Sequence, residues 1–135
     1  SCYVGISSRP SDGTHVDGRG ATVTIRSTLL HLVPMESVYK GPSPGTGGFF
    51  KWTVDQSPAL DITNSVFRAD QEPNHQDLGL PDVPVTCHGN VILWGGPGAF
   101  PGRESWLAHC PDTVVVAGPQ AASMWDAAVA RWKLG

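Results

Sequence analysis

The sequence predicts a single small domain of α+β (or α/β) class, with a mixed β-sheet, a C-terminal βαβα unit and a terminal amphipathic helix. Three observations lead there. At 135 residues the chain is the size of one domain, and two cores would leave each half hard to stabilise. Its first half breaks into short apolar or alternating runs separated by Gly, Pro and Asp-Gly turn signals. Its last third orders a strand-like run, a glycine-rich turn, a helical stretch, a β-branched run and a second helical stretch.

Taken in order, Cys2 to Ser7 suits a strand, and Arg9 to Gly20 holds Pro10, Asp12-Gly13 and Asp17-Gly18, which are turn dipeptides. Ala21 to Arg26 alternates small or apolar with polar residues, the period of a half-buried strand. Ser27 to Val33 fits a strand or a helical turn, because periodicity alone does not separate the two. Gly41 to Gly48 reads as a loop, and Phe49 to Val54 as a strand carrying Trp52. From Gln56 to Pro84 the chain is polar and proline-rich, with Ser65 to Arg68 strand-like within it. A short strand, Val83 to Cys87, follows.

The last third is more sharply written. Val91 to Trp94 is an apolar run ended by Gly95-Gly96-Pro97-Gly98. Gly102 to Cys110 has helical composition and is stopped by Pro111, and Thr113 to Ala117 is β-branched. Pro119 stands where a first helical residue tolerates proline. From Gln120 to Lys133 the period is helical, placing Ala121, Ala122, Trp125, Ala128, Val129 and Trp132 on one face. Two consecutive strands joined through a helix are expected to be parallel, with a right-handed crossover. No internal repeat or low-complexity tract is visible.

Composition bounds the function classes. Hydrophobic residues at 40% and charged residues at 16% exclude a disordered chain. A net charge of −3 without a basic run disfavours nucleic acid as a partner. No apolar run approaches the roughly 20 residues of a membrane-spanning helix. A start at Ser1 without a leader is read as an exported, secreted protein or as part of a larger parent chain or assembly. Three cysteines (Cys2, Cys87 and Cys110) leave open one disulfide with a free thiol, or three thiols.

Two groups of residues could carry chemistry. Cys87 is a candidate nucleophile, with His88 and His109 as candidate bases, since a thiol needs a neighbouring base to ionise near neutral pH. His88 itself would point to the opposite face of the strand from Cys87. A Cys87–Cys110 disulfide is the alternative for the same residues. The second group is Gly95, Gly96 and Gly98 with Trp94 and Trp52, a candidate ligand-binding loop and ring surface. No metal-ligand spacing occurs, and no cofactor is implied. Cys2 with His15 resembles the Cys–His dyad of toxin deamidases over a short N-terminal stretch, without the glycine-containing approach to the cysteine. Three readings follow. One is a small toxin-like or hydrolase-like enzyme using a thiol for acyl transfer or deamidation of an unspecified small-molecule or protein substrate. Another is a non-catalytic module binding a ligand or carbohydrate. The last is a structural piece of an assembly.

Overall fold

The computed structural model describes residues 22–32, 36–37, 41–42, 49, 59–71 and 78–135. Nine strands and two helices lie in these segments, in the order β1 (Thr22–Arg26), β2 (Leu29–Leu32), β3 (Glu36–Ser37), β4 (Gly41–Pro42), β5 (Ala59–Thr63), β6 (Val66–Ala69), β7 (Val85–His88), β8 (Val91–Trp94), α1 (Arg103–His109), β9 (Val114–Ala117) and α2 (Gln120–Leu134).

The strands form two sheets of parallel neighbours, β1-β5-β7 and β2-β6-β8-β9, and a small antiparallel pair, β3-β4. The order shows how the chain runs. β1 turns a corner into β2, β5 repeats the same corner into β6, and β7 into β8. Each pair lies beside its predecessor, so the chain coils upon itself as a short solenoid. Register is identical in both sheets: Thr22 pairs with Ala59 as Leu29 pairs with Val66, and Leu60 with Val85 as Val66 with Val91.

The corners explain the constant register. Each begins with a residue of left-handed backbone: Ser27 at φ 48°, Asn64 at φ 49° and Gly89 at φ 67°. Asparagine and glycine tolerate that conformation better than most residues. The next residue at each corner is polar: Thr28, Ser65 and Asn90. Thr28 N–H donates to Ser65 Oγ at 3.1 Å, and Ser65 N–H to Asn90 Oδ1 at 3.0 Å. Asn90 Nδ2 closes the chain on the Ile62 carbonyl at 2.8 Å. Asn90 is fully buried, so every bond it makes replaces one to water that it has lost.

The core lies between the two sheets. Along each strand alternate residues point inward, giving stacked rows of Leu60 and Ile62, Phe67 and Ala69, and Ile92 and Trp94, all buried. Phe49, Leu78, Phe100 and Trp106 complete the interior. Phe67 meets Trp106 at 5.2 Å between ring centroids and Phe49 at 5.4 Å.

The C-terminal expectation is met: β8, α1, β9 and α2 follow one another, and β8 pairs in parallel with β9. Within the two larger sheets no antiparallel pair occurs, so the mixed character is confined to β3-β4 among the described residues. α2 packs on the outer face of the second sheet, against β6, β8 and β9, burying Ala121 and Ala128 and covering Leu93. Its apolar stripe is narrower than the sequence suggests, because Ala122 is exposed and Trp132 is 65% exposed. A helix of this length runs about 22 Å, which exceeds the width of three strands, and Trp132 and Leu134 at its far end are left in solvent. The expected strand at Cys2 to Ser7 lies outside the described residues, as does most of Phe49 to Val54.

Candidate functional site

The candidate thiol group surrounds a disulfide. Cys87 on β7 is bonded to Cys110 just after α1, with Cα atoms 5.6 Å apart. Sheet alternation turns Cys87 into the core and His88 outward, where His88 is exposed and its Nδ1 lies 3.7 Å from Asp112 Oδ2. His109 ends α1 and is also exposed. The three residues are therefore neighbours. In its bonded form, though, Cys87 has no S–H to lose and no thiolate with which to attack.

The candidate ligand loop is split between surface and interior. Gly95 and Gly98 are exposed, and Gly98 takes a left-handed φ of 68°. Trp94 is 1% exposed and packs on Phe100 inside the core, so its ring offers no surface. Trp52, Cys2 and His15 lie outside the described residues. Gly95 and Gly96 have a packing reason. A Cβ at Gly95 would collide with Asp70 Oδ1, and one at Gly96 with the Trp94 ring. A shallow open depression beside α1, lined by Pro101, Arg103, Glu104 and Leu107, holds none of the expected residues.

The carboxylate next to Gly95 belongs to a cluster that sequence reasoning missed. Asp70, just past β6, accepts a hydrogen bond from Arg68 Nε at 3.1 Å and pairs with His31 Nε2 of β2 at 2.9 Å. The His31 ring rests on Trp125 of α2, 5.3 Å between centroids. His31 and Arg68 are neighbours across the sheet by register, and both face outward, toward the helix. A signal was present: Arg-x-Asp across a strand end places two opposite charges on one side of the turn. Partial burial of Asp70 opposes its ionisation. The hydrogen bonds from His31 and Arg68, with their charges, outweigh it and hold the carboxyl below its ordinary value of 3.8. A carboxyl depressed by folding stabilises the protein above its unfolded pKa and loses that contribution as pH falls through the folded one. Asp70→Asn is therefore expected to flatten the decline of stability below about pH 4, by no more than about 1 kcal/mol given the solvent exposure of the pair. Urea midpoints from pH 2 to 7 for both proteins measure it, and parallel curves would refute the assignment.

A further surface with ligand-binding chemistry is the outer face of the first sheet. Thr22, Thr24 and Arg26 of β1, Asp61 and Thr63 of β5, and Thr86 and His88 of β7 all point outward. Register sets Thr24, Asp61 and Thr86 in one row and Arg26, Thr63 and His88 in the next. Arg26 Nη2 donates to Asp61 Oδ2 at 3.2 Å, linking the two rows. Among the described residues the face carries no lysine or glutamate. Among the described residues no group of three or more His, Cys, Asp or Glu could hold a metal ion, and no helix is long and apolar enough to cross a membrane.

No family model, curated protein or solved structure matches this chain.

Proposed function

We propose that this protein is a non-catalytic binding module of an oxidising, extracytoplasmic compartment, and that the outer face of its first sheet binds a carbohydrate. The observation carrying the reading is the pair of rows centred on Arg26, Asp61 and His88. Sugar hydroxyls both donate and accept, and these rows offer both roles: carboxylate oxygens accept, guanidinium N–H groups donate, and threonine hydroxyls do either. Within each row, neighbouring side chains stand about 4.8 Å apart across the parallel strands, on the scale of a sugar ring. Threonine, aspartate and histidine lose less side-chain freedom on binding than lysine or glutamate would, so a face built from them is largely pre-organised. The Cys87–Cys110 disulfide supports the compartment, since such bonds persist where the surroundings are oxidising. The thiol reading requires a reduced Cys87, which this bond removes.

Calorimetric titration with a panel of soluble oligosaccharides tests the proposal. At least one is expected to bind, with Asp61→Ala and Arg26→Ala each weakening it about tenfold, or about 1.4 kcal/mol. Arg26 is exposed and Asp61 half-buried, and the pair between them is solvent-accessible, so folding stability should change by no more than about 1 kcal/mol. A binder indifferent to both substitutions, or no binder in the panel, would end this reading.

A further inference from the structure

The free edge of β9 carries an inference independent of the carbohydrate face. Among the described residues β9 closes its sheet and pairs on one side only, with β8. Val114 N–H donates to the Asn90 carbonyl at 3.1 Å and Gly118 N–H to the Trp94 carbonyl at 3.1 Å. Parallel pairing uses alternate residues, so the N–H and C=O groups of Val115 and Ala117 face away from β8. At the equivalent open end of the first sheet, α1 and the Cys87–Cys110 bond stand beside β7. Among the described residues β9 has no such cover: α2 lies across the face of its sheet.

Three features mark this edge as unfinished. Val115 points toward the core as Ile92 and Phe67 do, but they are fully buried and it is not. Val114 is 53% exposed. The polar column Thr28, Ser65, Asn90 continues to Thr113, whose buried hydroxyl has no partner. The strand reads Val-Val-Val-Ala, without the charge, proline or bulge that protects natural edges.

We propose that β9 pairs edge to edge with β9 of a second copy of this chain, antiparallel, about a two-fold axis at Val116. In that register Val115 and Ala117 exchange N–H···O=C bonds with Ala117 and Val115 of the second copy, satisfying both outward residues. The occupant is a second copy because the strand is self-complementary: antiparallel self-pairing sets no charge opposite a like charge, and the net charge of −3 adds little repulsion. The contact is small, so association in the micromolar to millimolar range is expected.

Sedimentation equilibrium across that range should show reversible doubling of mass, with hydrogen exchange at Val115 and Ala117 slowing as concentration rises. Ala117→Pro removes an outward N–H that the fold does not use, and Val114→Lys adds an edge charge; each should return the protein to monomer with its thermal midpoint unchanged. A monomer at every concentration up to about 1 mM overturns the proposal. So does a dimer that survives both substitutions, as pairing through Trp132 of α2 would, and so does growth into open chains in place of a closed pair.

Discussion

Replacing Cys87 and Cys110 together by alanine is expected to lower the unfolding free energy by about 3 kcal/mol. The bond closes a loop over a sequence separation of 23 residues, and the chain-entropy model assigns about 3 kcal/mol to a loop of that size. Position adds to this. The bond fastens the end of α1 to β7, the edge of the first sheet, where a fourth strand of that sheet would otherwise lie. Both sulfurs sit in the core cluster, so the alanines also lose buried contacts. Urea unfolding of the wild type, the wild type with reductant and the double variant measures the effect. Both of the last two should fall well below the first, with the double variant lower than the reduced wild type because it also lacks the buried sulfurs. Without reductant, iodoacetamide should label neither Cys87 nor Cys110. A loss under about 1 kcal/mol would mean that α1 holds its place by packing alone.

Trp106→Ala is expected to cost more, about 3–5 kcal/mol. Trp106 is the fully buried residue of α1, and its Nε1–H donates to the Leu78 carbonyl at 2.9 Å. Its ring meets Phe67 and, edge on, Phe49 at 6.3 Å. Truncation removes the ring from the centre of the aromatic cluster and leaves a buried carbonyl without this donor. Trp106→Phe separates the two effects, since it keeps most of the packing and loses only the N–H, for about 1–3 kcal/mol. Equal losses in the two variants would place the whole contribution in the hydrogen bond. A loss below about 1 kcal/mol in the alanine variant would contradict the packing described for this core.

How far the fold could be read ahead depended on how local its signals were. β8, α1, β9 and α2 were legible because each has its own pattern and its own stop: the glycines after Trp94, Pro111 after the first helix, Gly118-Pro119 before the second. β5 was not. Ala-Leu-Asp-Ile-Thr alternates correctly but sits in a proline-rich, polar stretch that reads as loop. The solenoid itself was hidden because its coils share little beyond a corner. Ser27-Thr28, Asn64-Ser65 and Gly89-Asn90 do the same work with different residues, and unequal connections between coils leave no fixed period. At the candidate sites, Cys87, His88 and His109 proved to be neighbours, and their disulfide was legible as an alternative. Trp94 was read for its exposure beside glycines, whereas strand alternation turns it into the core. His31, Arg68 and Asp70 meet only because β2 and β6 are adjacent, and that adjacency joins residues far apart in the chain.

The unequal connections between coils have a consequence for what this scaffold tolerates. Register is held at the corners by the stacked left-handed residues and the Thr28–Ser65–Asn90 bonds, and the segment from β2 to β5 is longer than that from β6 to β7 although both serve the same register. Loop-closure entropy grows slowly, by about 0.6 kcal/mol for each doubling of length. Added length in the connection after β6 therefore costs little only where it leaves Leu78 and Leu80 seated in the core. The corners form the frame of the molecule, and the length of a connection is free to vary as long as its core residues keep their places.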